Sequence, residues 1–95
     1  MIRFCKEAAD EIDEAIDWYL SKSTGAAERF SRAISNVLVQ IEADPGRFSR
    51  LHRDFQYGRV IGFPYICIFR LNASDIQVLA IAHTSRRERY WIDRQ

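Results

Sequence analysis

The chain has 95 residues, of which 47% are hydrophobic and 28% charged, with a net charge of +1. That length predicts a single domain over residues 1–95 with one modest core and no linker. No apolar run approaches the roughly 20 residues that cross a bilayer, and Glu7, Asp10 and Glu11 stand where a secretory leader needs an apolar stretch, so a cytoplasmic protein without a membrane anchor is expected. Two cysteines and two histidines, all widely separated, give no support to a metal centre, and no cofactor motif is present. Cys5 and Cys67 both sit in apolar surroundings and read as buried free thiols.

The small net charge conceals an asymmetry. Residues 1–47 carry six Lys/Arg against nine Asp/Glu, and residues 48–95 carry eight against four, balances of −3 and +4. All eight positive residues of the second half are Arg, a side chain that grips carboxylate or phosphate in bidentate fashion. Arg-rich solvated surface is the alternative reading of the same charges.

In chain order, Ile2, Phe4 and Cys5 read as a short first strand. Ala8, Ile12, Ala15, Ile16, Tyr19 and Leu20 then recur at helical spacing, which predicts an amphipathic helix. Its opposite face is acidic through Glu7, Asp10, Glu11, Asp13, Glu14 and Asp17, favourable near a helix N-terminus. This stripe reads as a solvated face, or alternatively as a docking surface for a basic partner. Ser21 to Gly25 breaks the helix, with Ser23 or Thr24 as cap for a second helix over about Ala26 to Ala43 that buries Phe30, Ala33, Ile34, Val37, Leu38 and Ile41. Asp44-Pro45-Gly46 ends it. So short a connection predicts an antiparallel helical hairpin.

From Phe48 onward β-branched and aromatic residues dominate. Strands are predicted over Phe55 to Gly62, Tyr65 to Leu71 and Ile76 to Ala82, with a hairpin turn at Asn72 to Asp75. Alternation places Leu79, Ile81 and His83 on one face of the last strand, and makes both faces of the sheet largely apolar. The helices can cover one face; the C-terminal tail or a partner must cover the other. The fold class is therefore α+β: a short strand, a two-helix hairpin and a three-stranded antiparallel meander.

Beyond that meander lies the chain's cationic and aromatic stretch, from His83 through Arg86, Arg87, Arg89, Tyr90 and Trp91 to Arg94. His83 is the candidate general acid or base, since its reference pKa lies near neutrality; a strand-end histidine bonded to backbone is the alternative. Arg59 and Arg70, on the two preceding strands, can point to one concave face and form with His83, Arg86 and Arg87 a site suited to phosphate. Arg70 can equally be an ordinary partner of an acidic side chain. Tyr90 and Trp91 admit base stacking, protein anchoring together with Arg89, or capping of the core.

Asp17-Trp18-Tyr19, Asp44-Pro45, Phe63-Pro64-Tyr65 and the stretch from His83 to Trp91, in this order and spacing, resemble the ParE/RelE superfamily of type II toxins, and the His, paired Arg and Tyr-Trp of the tail are most like the ParE-type branch. The resemblance covers nearly the whole chain and implies the same strand, helical hairpin and meander. It further implies a toxin with a cognate antitoxin as partner, which wraps an extended and helical segment over it. ParE-like members inhibit DNA gyrase without hydrolytic chemistry, whereas RelE-like members are ribosome-dependent endoribonucleases acting on mRNA. In the nuclease case the resemblance gives catalytic roles to His83 and Tyr90 and phosphate contacts to Arg59, Arg86 and Arg87. Lys6 and Lys22 are the only lysines and the middle strands hold no Glu, departures from the nuclease pattern. A non-toxic member that only binds antitoxin is the remaining alternative.

Overall fold

The computed structural model describes residues 1–94. Strand β1 (Ile2–Phe4) leads into helix α1 (Lys6–Leu20), which folds back as α2 (Thr24–Ala43). A 3-10 turn over Pro45–Arg47 precedes β2 (Arg50–His52), β3 (Phe55–Val60), β4 (Tyr65–Asn72) and β5 (Asp75–His83). The five strands form one sheet in the order β1-β5-β4-β3-β2. Strands β2 to β5 make an antiparallel meander, and β1 joins its far edge parallel to β5, pairing Ile2 with Ile76 and Phe4 with Val78. Among the described residues no helix is long and apolar enough to cross a membrane.

The expected three-stranded meander is thus extended by a strand at each edge. Strand β2 escapes the sequence pattern because Arg50-Leu51-His52 is short and mostly polar; backbone pairing makes it a strand, including the Tyr57 N–H to the Ser49 carbonyl at 3.1 Å. Helix α2 begins at Thr24 because the Ser23 hydroxyl accepts from the Ala26 N–H at 2.9 Å. The helical connection is therefore only Ser21–Ser23, and Gly25 lies inside the helix. Leu20, expected in the buried stripe of α1, is the last residue of that helix and stays half exposed.

The helical hairpin covers one face of the sheet. Phe30, Ile34, Val37 and Ile41 of α2 pack with Val60, Cys67, Phe69, Val78 and Ile81, and Ala8 and Ala15 of α1 complete this core. Small residues on α1 let the helix lie close to the sheet. At the hairpin's end Tyr19 stacks on Phe30 with centroids 5.0 Å apart and meets Phe63 edge-on at 5.1 Å. The buried Gln56 amide donates to the carbonyls of Pro45 (2.9 Å) and Phe48 (3.0 Å), tying the 3-10 turn to β3.

A register shift interrupts the pairing of β4 with β5: Ile68 faces Ala80, but Phe69 faces Val78. Leu79 is therefore an extra residue, a bulge, and it reverses the alternation of the strand on either side. Leu79 and Ala80 both point away from the helices, while Val78 and Ile81 point toward them. The expected alignment of Leu79 with Ile81 and His83 fails for this reason. The second apolar face so formed, with Phe55, Ile68, Leu79, Ala80 and Ala82, is closed by Trp91 from the tail, only 2% exposed. The two cysteines are free and buried, and burial pushes the Cys67 thiol up to about 12.

Candidate functional site

The site is built where β5 ends. The Thr84 N–H donates to the Pro64 carbonyl (2.9 Å) and the Arg86 N–H to that of His83 (3.0 Å), so the chain turns sharply and runs back across the far face of the sheet. Arg89, with φ 61, lies in the left-handed region and redirects the tail so that Tyr90 and Trp91 diverge. Trp91 enters the second core and meets Phe55 at 4.9 Å between centroids. Tyr90 goes the other way, to α1.

There a half-buried carboxylate receives it. The Tyr90 hydroxyl donates to Glu11 Oε2 at 2.7 Å, and Arg94 forms a two-pronged pair with the same carboxylate at 2.8 and 3.1 Å. Arg94 also donates to the Leu79 carbonyl (3.1 Å), and the Ile81 N–H donates to Glu11 Oε1 (3.1 Å). The carbonyl belongs to the bulged residue and the N–H lies two residues further on, beyond the point where β1 stops pairing with β5, so the clamp satisfies polar groups that the sheet leaves unpaired. The Tyr90 ring lies between the guanidinium groups of Arg86 (3.9 Å) and Arg94 (4.9 Å). Burial first, and the Glu11 contact second, push the Tyr90 phenol above its ordinary range.

Glu11, and its pairing with Arg94 of the cationic tail, are what sequence reasoning missed. Glu11 belongs to the acidic stripe read as solvent-facing, yet it receives the chain's own basic tail, and Glu7, Asp10 and Glu14 line the same cleft as Arg86 and Arg94. A signal was available: Glu11 lies three residues after Ala8 and four before Ala15, both buried, and so borders the apolar stripe.

The tail, β2 and the sheet enclose a groove of about 240 Å³. Ile66, Ile68 and Ala82 contribute its apolar lining, Leu51 of β2 contributes from the other strand edge, and His83, Arg86, Arg87, Glu88 and Arg89 come from the tail. Arg87 and Arg89 are exposed and make no ion pair among the described residues. Opposite them, desolvation, then Arg89 and Arg53, hold His52 below the ordinary histidine range. His52 is therefore uncharged at neutral pH, and the cationic character of this rim comes from arginine.

His83 lies half-buried at the groove's end, its ring edge-on to Tyr65 at 5.1 Å. Its Nδ1 accepts from the Ser85 N–H at 3.1 Å, with the Ser85 hydroxyl 2.7 Å away. An accepting Nδ1 places the ring proton on Nε2. Of the other predicted site residues, Arg86, Arg87, Arg89, Tyr90 and Trp91 line the groove with His83. Arg59 stands nearby, at the free edge of β3, in a second cleft that shares Ile66 and Thr84 with the first. Arg70 does not join them. It pairs with Gln77, five positions along β4 from the Tyr65–His83 pair and so about 17 Å away, and its guanidinium lies 5.0 Å from the Phe55 ring.

Residues 2–88 match the family described as "ParE toxin of type II toxin-antitoxin system, parDE". The chain belongs to the ParE toxin family. No curated protein matches it by sequence. A solved structure of the "Chromosomal ParDE TA system from P. aeruginosa" is similar to it, with a TM-score of 0.63 and 20% identity, covering 86% of this chain and 92% of that one. At that identity the likeness shows a shared fold, and it agrees with the family's α+β architecture. The match to the ParE family ends at residue 88, so His83, Arg86 and Arg87 fall within it while Tyr90, Trp91 and Arg94 lie beyond.

Proposed function

We propose that this ParE-family chain is a toxin that binds DNA gyrase through the tail groove, without catalysing a reaction, and that a cognate antitoxin neutralises it in the cytoplasm. One observation carries the proposal: the groove combines an apolar lining and exposed arginines with a tail whose only phenol is tied up by Glu11. A phenol held in this way, above its ordinary range, is not poised to exchange protons at neutral pH. Apolar area with an arginine rim suits protein recognition, the lining supplying burial and the rim orientation. Purified protein should block gyrase supercoiling in vitro at near-stoichiometric amounts, and its expression without the antitoxin should arrest growth. Normal supercoiling at a large excess of toxin would refute the gyrase assignment.

A second reading, a ribosome-dependent endoribonuclease, draws on a different feature. His83 Nε2 makes no hydrogen bond among the described residues, which leaves one nitrogen for acid–base work beside Arg86 and Arg87. Primer extension on translated mRNA separates the two, because only a nuclease gives codon-phased cuts that His83→Ala abolishes.

A further inference from the structure

The face of the sheet that the tail crosses carries arginine beyond the rim of the groove. Away from His83, three strands meet in register: His52 of β2 pairs with Phe55 of β3, and Phe55 pairs with Arg70 of β4. Phe55 belongs to the layer that Trp91 closes, and the Arg70 guanidinium lies 5.0 Å from its ring, so Arg70 stands on the tail's side of the sheet. Arg53 occupies the two-residue turn between β2 and β3, and Arg89 comes from the tail to act, with Arg53, on the same His52. Arg87 follows the turn that leaves His83. From His83 to Arg70 this lane spans about 17 Å. None of its arginines makes an ion pair among the described residues, and Glu88 is the one carboxylate lining the groove.

Two of these arginines sit in strained backbone. Arg53, with φ 52, and Arg89, with φ 61, both occupy the left-handed region, where glycine or asparagine sits at less cost. Residues held in such conformations cluster at binding sites, and these two come from separate segments to one place. A lane of guanidinium groups suits a row of phosphates better than a single anion. One strand of a duplex carries a phosphate about every 3.4 Å along the axis, so the lane matches about five of them. Single strands are held by rings on which bases stack. The rings here are otherwise engaged: Trp91 is 2% exposed, Phe55 is buried, Tyr57 lies against their layer, and Tyr90 is held between two guanidinium groups.

We propose that this lane binds the phosphate backbone of double-helical DNA through Arg53, Arg70, Arg87 and Arg89, without contacts to the bases. Guanidinium groups placed in this way position a duplex and carry no sequence preference of their own. The inference deepens the reading above, since the apolar lining of the groove then takes the protein while the arginines take the duplex that gyrase holds. It rests on that reading only in naming gyrase as the source of the DNA.

The test uses the full chain and a fluorescently labelled duplex of about 20 base pairs, titrated by anisotropy over a range of salt concentrations. The logarithm of the binding constant should fall linearly with that of the salt concentration. Arg53→Gln/Arg89→Gln should reduce this slope by about 1.8, because each lost phosphate contact removes about 0.9, and should weaken binding by about tenfold or more. Both side chains are exposed, so far-UV circular dichroism of the variant should be unchanged. Arg53→Lys/Arg89→Lys keeps both charges and should keep most of the slope. Arg29→Gln/Arg32→Gln, on the exposed side of α2, should alter neither slope nor affinity. Absence of duplex binding at low salt, an equal loss from the α2 pair, tighter binding of the corresponding single strand, or equally tight binding of a polyglutamate peptide would each overturn the proposal. The duplex measurement needs no gyrase. A chain that binds DNA in this way yet leaves supercoiling untouched would overturn the target assignment and uphold the DNA site.

Discussion

Glu11 accepts bonds from Tyr90, Arg94 and the Ile81 N–H, so one carboxylate holds the tail, the bulged strand and α1 together. Its replacement leaves a half-buried guanidinium without its anion. A hydrogen bond to a charged group contributes about 1.5–3 kcal/mol, and Glu11→Gln, which keeps one acceptor, should cost about 2 kcal/mol in urea unfolding. Tyr90→Phe removes a single donor and should cost less, about 1 kcal/mol. Combined with Arg94→Met, Glu11→Gln should be strongly non-additive, since each substitution alone strands the other's partner. Across the groove, Arg89→Gln should raise the titration midpoint of His52 followed by NMR, without restoring the ordinary histidine value, because desolvation is the larger cause of its depression. A depressed histidine binds its proton more readily in the unfolded chain. Stability should therefore fall as pH drops from about 6.5 toward the lower folded midpoint, and this acid-side loss should shrink in Arg89→Gln.

At the scale of elements, α2 comes close to β3 at Gly58. A Cβ on Gly58 would lie 2.8 Å from Val37 Cγ2 and 3.0 Å from Phe48 Cε1. Gly58→Ala should destabilise by about 1–3 kcal/mol, as over-packing does, and Val37→Ala in the same chain should recover part of the loss although alone it is itself destabilising. That Phe55 to Val60 form a strand was legible in the sequence; that Gly58, paired in unbroken register with Cys67, leaves room there for a helix was not. The same division runs through the rest of the fold. Phe30, Ile34, Val37 and Ile41 announce the buried face of α2 because helical spacing and burial share one period. Strands β3, β4 and β5 are announced by their β-branched and aromatic residues. The bulge at Leu79 is silent, because Leu79 and Ala80 are adjacent apolar residues and nothing in their identity says that both turn to the same side. Strand β2 is silent because backbone pairing, and not side-chain pattern, makes it a strand. The tail could be read as a contact surface, but its division could not: Trp91 closes the core, Tyr90 and Arg94 grip α1, and Arg87 and Arg89 remain on the surface.

Over the whole molecule, the acidic first half and the arginine-rich second half are complementary parts of one body, since α1 receives the tail. The Cα radius of gyration is 12.8 Å, close to the roughly 12 Å of a compact chain of this length. Two apolar layers lie on opposite faces of one sheet: the helical hairpin covers one, and the tail closes the other through Trp91. The second layer is small, and alone it could open before the first. Against that, the tail is tied to β3 through Phe55, to β5 through the Leu79 carbonyl and to α1 through Glu11. Opening it would expose a second apolar face and separate a half-buried ion pair in the same event. The two layers should therefore melt together. The measurement needs Trp91 as sole reporter, which Trp18→Phe provides at little cost because Trp18 is 55% exposed. Tryptophan fluorescence and far-UV circular dichroism should then give one midpoint in urea, whereas an earlier fluorescence transition would show that the tail opens independently. In the Glu11→Gln background the fluorescence midpoint should move ahead of the dichroism midpoint, because the tie to α1 is weakened while the helical layer is untouched.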